Sequence, residues 1–246
     1  MTTALVEQSH HGEHLSAGWA DPARTLATVT LVGAAVGAFV VGVLGRLAMM
    51  ALAGLNPAAT GVRSDDGFPI GEFTASGSLQ LVLAGMQFGI LGAFAYVSAR
   101  GLMVGPPWFR LLSISLGPGL VVGAIVVHTD GVDFTLLDPP ALAALLFVAI
   151  PTLFVALLHV CSERALGSRA TLPLPLLVLG LLPWVVLVPL TLLLAGGFAG
   201  LRALRRTRTG RSFLASPWPA WAVRGVLAAL AVGAVVDLVR DISTLS

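Results

Sequence analysis

The chain has 246 residues, of which 57% are hydrophobic and only 11% are charged, and its mean hydropathy is +0.93. Soluble domains carry about 25% charged residues, so this composition excludes a water-soluble globular protein and indicates a lipid bilayer as the solvent. The formal net charge of +2 is too small to favour nucleic acid as a partner, and the single cysteine, Cys161, excludes an internal disulfide framework.

The first 24 residues form a polar tail that we expect to be flexible. The tail contains the stretch HHGEH and no early basic cluster or apolar core, so it does not have the pattern of a secretory signal. We therefore expect residues 25–246 to form a single transmembrane helical domain that begins with a retained spanning helix.

Six apolar runs approach the roughly 20 residues that a helix needs to cross a bilayer. They cover residues 25–54, 77–98, 109–127, 139–161, 172–200 and 218–239. Backbone groups in lipid have to pair within the segment, so each run is predicted to be an α-helix. The expected fold class is all-α, a polytopic transmembrane helical bundle with about six spanning helices. Asp21 and Asp138 are the expected N-caps of the first and fourth helices.

The fifth run differs from the others because it contains four prolines, two of which, Pro183 and Pro189, lie in its interior. An interior proline removes a hydrogen-bond donor and clashes with the preceding turn, so kinks are expected at both positions. Two interpretations are open. The run is either a Pro-kinked fifth span, which we prefer, or a re-entrant hairpin that enters and leaves the membrane on one side.

Glycines recur at a spacing of four in the first three helices. The pairs are Gly33–Gly37, Gly85–Gly89 and Gly119–Gly123. Such faces let helices approach closely in lipid, so we expect a compact bundle. The Gly-rich faces are also candidate contacts for a protein partner or for a homo-oligomer.

The order of the spans defines two faces of the bundle. The basic face carries the N-terminus and loops 99–108 and 162–171, and the acidic face carries loops 55–76 and 128–138. Arginine-rich loops favour the cytoplasm, so we predict a bacterial plasma-membrane protein with a cytoplasmic N-terminus. The arginine-rich stretch 202–211 opposes this arrangement if all six runs span. A re-entrant fifth run would place that stretch on the basic face and the C-terminus on the acidic face.

Six of the twelve acidic residues lie in the two loops of the acidic face. The candidate polar site comprises Arg46, Arg63, Asp65, Asp66, Glu72, His128, Asp130 and Asp133. Arg46 lies within an apolar run, where an unpaired charge costs at least a few kcal/mol. We therefore expect Asp65, Asp66 or Asp130 as its partner, in preference to snorkelling towards the headgroups. The alternative interpretation of the acids is ordinary turn chemistry.

Motifs that carry chemistry are few. The sequence contains no metalloprotease, EF-hand, phosphate-loop, nucleophile-elbow or paired haem-histidine pattern, so we predict neither a metal site nor a cofactor. His159 and Cys161 are interpreted as packing or interface residues at the end of the fourth helix. Asp237 is interpreted as the partner of Arg240 in a local ion pair.

Three stretches, GRLAMMALAG, SDDGFPIGEFTASGS and DGVDFTLLDPPALAALLF, resemble a group of multi-pass membrane proteins of actinobacteria. The shared features are an Arg-bearing first helix, an acidic loop ending in a Gly-Glu-Phe-Thr-like sequence, and an Asp-Phe-x-Leu-Leu-x-Pro sequence before the fourth helix. The resemblance covers residues 40–165 and implies a six-helix membrane protein. It implies no activity, because none is assigned to the group.

Function is predicted at the level of class. The first hypothesis is a non-enzymatic integral membrane protein that binds an ion, a lipid headgroup or a protein partner through Arg46 and the acidic face. The second is a membrane-embedded enzyme for a lipid or isoprenoid, with Asp65, Asp66 and His128 as acid and base. The third is a small transporter, in which a broken fifth helix would line the pathway.

Overall fold

A computed structural model describes residues 22–63, 70–100, 106–127, 136, 138–168, 171–207, 212 and 218–245. Its main helices are α1 Pro22–Leu55, α2 Ala75–Ala99, α3 Pro107–Val126, α4 Pro140–Gly167, α5 Leu174–Val186, α6 Val188–Arg206 and α7 Trp218–Leu245. No strand is present in these ranges, so the all-α prediction is confirmed.

Four of these helices, α1 to α4, are long and apolar enough to cross a membrane. The helix α5 and the segment Thr191–Gly197 form a bent pair, which raises the number to 5 if the pair counts as one span. These helices support membrane localisation, whereas the expected number of about six spans is not confirmed.

The helices α1 and α2 cross at the glycines that recur at a spacing of four. A Cβ atom on Gly37 would lie 2.7 Å from Gly89 Cα, and one on Gly85 would lie 2.7 Å from the Gly42 nitrogen. The two backbones are therefore in contact, and the predicted close packing is confirmed for this pair of helices. The crossing includes a π-helical segment of α1, Ala38–Leu44, which directly follows Gly37.

The third Gly pair packs against α4. A Cβ atom on Gly119 would lie 3.0 Å from Thr152 Cβ, and one on Gly123 would lie 3.4 Å from Val148 Cα. All three predicted Gly faces are therefore filled by helices of the same chain. Open space surrounds other glycines, including Gly225 and Gly233 of α7. A protein partner or a homo-oligomer at the Gly-rich faces stays a prediction.

The fifth run breaks at Leu187, between α5 and α6. Pro189 lies in the first turn of α6, where a helix does not need the N–H that proline lacks. Across the break, the Thr191 hydroxyl donates a 2.6 Å hydrogen bond to the Trp184 carbonyl. That carbonyl is one of those that a broken helix leaves without a backbone donor. The two segments are bent by 88°. The prolines thus produce one sharp break instead of two separate kinks.

Contacts with α1 show that α5 enters from the basic face. A Cβ atom added to Gly180 would lie 2.7 Å from Ala27 Cα. The Trp184 indole N–H donates a 2.8 Å hydrogen bond to the Thr30 hydroxyl. Both contacts lie within the first third of α1. Because the chain turns at Leu187, α5 does not continue to the acidic face.

The direction of α7 differs from the one expected for a sixth plain span. Leu238 and Ile242 of α7 pack on a cluster that includes Leu52, Val127 and Ala143, all at the acidic-face ends of their helices. The 20 residues from Trp218 to Leu238 rise about 30 Å, so α7 begins near the basic face and ends at the acidic face. The re-entrant interpretation, which places the C-terminus on the acidic face, agrees with this direction.

Two local predictions are wrong. The N-cap of α4 is Pro139 and no side chain caps this helix, because the backbone of Asp138 is held by Asn56 instead. The structure shows no ion pair between Asp237 and Arg240. The other expected cap, Asp21, lies outside the described residues.

Candidate functional site

Arg46, in the last third of α1, is held by the loop of the acidic face. Its Nη2 donates a 2.6 Å hydrogen bond to the Glu72 carbonyl, and its guanidinium carbon lies 5.8 Å from the Phe73 ring centroid. Its Nε is buried and has no hydrogen-bond partner among the residues that the structure describes. Within that part of the chain, Arg46 is therefore bound by a backbone oxygen of the acidic loop, and not by a carboxylate.

The length of α1 is greater than the thickness of a hydrocarbon core, which bears on the depth expected for Arg46. The helix has 34 residues, a rise of about 51 Å, which exceeds the roughly 30 Å of a hydrocarbon core. Arg46 lies about 14 Å before the end of α1. A helix of this length, centred on a hydrocarbon core, would extend past it at both ends and would bring Arg46 close to the boundary between acyl chains and headgroups.

The two loops of the acidic face meet at Asn56. Its Nδ2 donates a 3.0 Å hydrogen bond to the Asp138 carbonyl, and its Oδ1 accepts one of 2.8 Å from the Asp138 N–H. Nδ2 also donates to the Leu52 carbonyl at 2.9 Å, which closes the end of α1. Asn56 thus joins the beginning of loop 55–76 to the end of loop 128–138.

Three of the eight predicted site residues lie in the described part of the chain. Arg46 is partly buried, whereas Arg63 and Glu72 are exposed. The other five lie outside the described residues: Asp65, Asp66, His128, Asp130 and Asp133. Among the residues that are described, no three His, Cys, Asp or Glu side chains gather in a way that could hold a metal ion.

A second polar group lies at the basic face, between the ends of α2 and α4. We name Tyr96, Arg100, His159 and Glu163 the basic-face cluster. The Tyr96 hydroxyl donates a 2.7 Å hydrogen bond to Glu163 Oε1 and lies 3.1 Å from His159 Nδ1. Arg100 contacts both carboxylate oxygens, with Nε 2.9 Å from Oε1 and Nη2 3.2 Å from Oε2.

The helical repeat explains why these four side chains converge. Tyr96 and Arg100 are four residues apart, as are His159 and Glu163, so each pair lies on one face of its helix. The backbone of Ala93 and the ring of Phe154 are buried one turn earlier, which brings α2 and α4 together below the cluster. The paired carboxylate and guanidinium are each 41% exposed, whereas Tyr96 is only 3% exposed.

The cluster defines the tautomer of His159. A tyrosine hydroxyl has one proton to donate. The Glu163 carboxylate, 2.7 Å from the Tyr96 oxygen, is a stronger acceptor for that proton than the His159 ring nitrogen. His159 Nδ1 must therefore donate its proton to the Tyr96 oxygen, which leaves Nε2 as the ring nitrogen without a partner in the cluster. Hydrogen bonds consequently run in one direction, from His159 through Tyr96 to Glu163.

The sequence-based interpretation of His159 as a packing residue is incomplete, because its ring is part of this hydrogen-bonded group. The available signal was the spacing of four in each helix, together with the fact that Tyr96 is the only tyrosine in the chain. The long-range pairing of α2 with α4 is what brings the two spacings together.

Comparisons with protein-family models, with curated proteins and with solved structures find no match for this chain. The resemblance to actinobacterial membrane proteins therefore stays a prediction, and the two polar groups are interpreted from their own geometry.

Proposed function

We propose that this protein is a non-enzymatic integral membrane protein that binds a phospholipid headgroup at its acidic face. The supporting observation is the hydrogen bond from Arg46 to the Glu72 carbonyl. It ties a cationic guanidinium to the loop 55–76, whose sequence is rich in carboxylates, and this supports a headgroup site there.

A lipid phosphate suits the environment of Arg46. Guanidinium groups bind phosphate oxygens through parallel N–H donors, and Arg46 keeps a buried Nε without a partner among the described residues. The Phe73 ring lies beside the guanidinium and is 66% exposed, so it provides an apolar surface at the same site. A phosphate in this position would satisfy donors that lipid tails leave unpaired.

The order of charges along the membrane normal favours a zwitterionic headgroup of the phosphoethanolamine type. Its phosphate lies nearer to the acyl chains and its ammonium group lies farther out. We propose that Arg46 is the deeper charge of the site and that the loop carboxylates, of which the structure describes Glu72, are the outer ones. We therefore propose that Arg46 binds the phosphate and that the loop carboxylates bind the ammonium group.

Native mass spectrometry of the purified chain tests this proposal. We expect phosphatidylethanolamine to bind about tenfold more tightly than phosphatidylcholine with the same acyl chains, because choline has no N–H donor for the carboxylates. Arg46→Gln should remove most of this preference by removing the phosphate ligand. Arg46→Lys, which keeps the charge but not the planar donors, should retain part of it.

Arg240→Gln is the matched control, because Arg240 is an exposed arginine near the acidic-face end of α7 and the charge change is the same. It should leave the lipid preference within about twofold of the unmodified protein. Equal binding of the two lipids by the unmodified protein would contradict the proposal. A preference that survives Arg46→Gln would contradict it as well.

We also propose five membrane crossings, α1 to α4 and α7, with α5 and α6 as a re-entrant pair on the basic face. This arrangement places Arg24, Arg100, Arg110, Arg164 and the stretch 202–211 on one side. The positive-inside tendency then makes the basic face and the N-terminus cytoplasmic, in a bacterial plasma membrane.

Labelling of single cysteines in intact cells tests this topology. In a Cys161→Ser background, a membrane-impermeant maleimide should label Ser243→Cys at the end of α7 and Thr60→Cys in the acidic loop. Thr207→Cys, after α6, should react only in opened cells. Labelling of Thr207→Cys from outside, with Ser243→Cys protected, would show that the fifth run spans fully and that this topology is wrong.

A further inference from the structure

We propose that α6 lies along the membrane interface at the basic face, as an amphipathic helix that binds anionic phospholipids. This role rests on the proposed re-entrant arrangement of α5 and α6, and it names the lipid partner of that segment. It is independent of the proposed Arg46 site at the acidic face. Four features of α6 support it: its direction, its depth, the distribution of residues around its axis, and its charge.

The direction of α6 favours the plane of the membrane. Gly180 packs on Ala27, and one turn later on both helices Trp184 donates its hydrogen bond to Thr30. The helix α5 therefore runs beside α1 and in the same direction. The chain then bends by 88° between α5 and the segment Thr191–Gly197. A bend of this size turns α6 away from the direction of α1, which is one of the helices apolar enough to span.

The depth expected for the break also suits an interfacial helix. Thr30 follows the first residue of α1 by eight positions, a rise of about 12 Å. An α1 centred on a hydrocarbon core of about 30 Å would extend past it by about 10 Å at each end, so Thr30 would lie just inside the core. Leu187 follows Trp184 by about 5 Å of helix, so α6 would begin about 5–10 Å below the boundary. Interfacial helices bury their apolar face to that depth.

The residues of α6 segregate around the helix axis. At about 100° per residue, the positions of Leu193, Gly197 and Leu204 fall on one side of the helix. Arg202 follows Leu193 by nine positions, and Arg206 follows Gly197 by nine, so both arginine positions are on the opposite side. The helix has 19 residues and is not one of the four that are apolar enough to cross a membrane. An apolar side opposite a basic side is the pattern of a helix that lies in the interface.

The apolar side of α6 is open to the surroundings in the part of the chain that the structure describes. Leu193 and Leu204 are 72% and 41% exposed. Apart from the adjoining backbone of α6, no described atom lies within 4 Å of a Cβ added to Gly197 or Gly200. The leucines are therefore accessible to acyl chains, which would remove them from water.

The charge of α6 and of the residues after it identifies the lipid as anionic. The stretch 202–211 contains five arginines, and no acidic residue occurs in the sequence between Glu163 and Asp237. Arginines beside a membrane-bound helix gain from the negative surface potential of anionic lipids. A protein partner would have to enter the interface to reach the leucines. An anionic bilayer satisfies the apolar side and the basic side at once.

The first test measures the depth of α6 in vesicles that contain the full chain. In a Cys161→Ser background, a fluorophore is attached at Leu204→Cys or at Ala195→Cys, which is nine positions earlier and so on the opposite side. The vesicles contain phosphatidylglycerol and a phosphatidylcholine with a nitroxide near the top of its acyl chain. The nitroxide should quench the fluorophore at Leu204→Cys about threefold more strongly than the one at Ala195→Cys.

The second test asks whether charge holds the helix in the interface. Replacing phosphatidylglycerol by phosphatidylcholine, or raising the salt to about 1 M, should lower the quenching at Leu204→Cys by about half or more. Arg202→Gln combined with Arg206→Gln should have the same effect in phosphatidylglycerol. The matched control is Arg110→Gln combined with Arg164→Gln, which removes two exposed arginines of the basic face outside α6. It should change the quenching by no more than about 20%.

Three results would overturn the proposal. The first is equal quenching at Leu204→Cys and Ala195→Cys. The second is quenching that does not depend on lipid charge, or that falls equally in the two double variants. The third is a fluorophore at Leu204→Cys that is shielded from both water and nitroxide to a degree set by the ratio of protein to lipid, which would indicate that a second copy covers the leucines.

Failure of the underlying topology is distinguishable from failure of lipid binding. Labelling of Thr207→Cys from outside intact cells would remove the re-entrant arrangement on which the position of α6 depends. Protection of Thr207→Cys together with equal quenching at the two α6 positions would leave that topology intact and would reject only the binding of α6 to lipid.

Discussion

Gly37→Leu is expected to abolish the close contact of α1 with α2 and to destabilise the folded protein by about 3 kcal/mol or more. The added side chain would meet the Gly85 carbonyl and Gly89 Cα, which are backbone atoms that no rotamer change can move. The helices would have to separate, and the buried contacts of Val40 and Ala93 would be lost with them. The measurement is the thermal unfolding midpoint of the purified protein in detergent.

Gly54→Leu is the control for this substitution. Gly54 lies in the same helix, is exposed, and has no atom within 4 Å of an added Cβ. Its unfolding midpoint should stay within a few degrees of the unmodified protein, because leucine also favours helix over glycine by about 1 kcal/mol or less. Similar midpoints for the two variants would show that α1 and α2 do not cross at Gly37.

Trp184→Ala is expected to release α5 from the bundle, at a cost of about 3–5 kcal/mol for the docked state. Trp184 is 7% exposed, stacks on Phe94 with centroids 3.7 Å apart, and donates its indole proton to Thr30. Hydrogen–deuterium exchange should therefore rise throughout Leu174–Val186 while α1 to α4 stay protected, because those four helices retain their own contacts.

Two further variants of α5 distinguish the stacking of Trp184 on Phe94 from its hydrogen bond to Thr30, and both from the effect of shortening any side chain of α5. Trp184→Phe keeps an aromatic ring on Phe94 but removes the hydrogen bond and part of the buried ring volume, so its effect should be about 1–3 kcal/mol and smaller than that of Trp184→Ala. Val185→Ala shortens a neighbouring side chain that is 66% exposed, and should leave exchange in α5 almost unchanged. If Val185→Ala and Trp184→Ala raise exchange equally, Trp184 does not anchor α5.

The helices that were predicted best are those with long uninterrupted apolar runs. The runs 25–54 and 77–98 correspond to α1 and α2 within a few residues, because the bilayer forces such runs to pair their backbone groups internally. The glycine spacing also predicted helix packing. It did not identify the partners, because many helices can fill a small-residue face and only the assembled bundle selects α2 for α1 and α4 for α3.

The polar sites were predicted unequally. Arg46 was recognised because a charge in an apolar run is conspicuous, yet its observed partner is a backbone carbonyl, which no side-chain pattern reveals. The basic-face cluster was missed because its members lie 63 residues apart along the chain, between Tyr96 and His159. Each pair alone is an ordinary helix-end pattern, and the hydrogen bonds exist only when α2 and α4 are in contact.

The amino-acid sequence by itself determined the class of this protein, because so few charges and such long apolar runs are compatible only with helices in a membrane. It also indicated that the fifth run is interrupted, since proline lacks the donor that a continuous helix requires, whereas the structure located the single break at Leu187. Only the tertiary structure decided the direction of α7, through Leu238 and Ile242 against the acidic-face ends of α1 and α4. The physical reason is that an apolar helix is equally compatible with lipid in either direction. Contacts with the other helices, and not hydropathy, therefore decide the direction in which α7 runs.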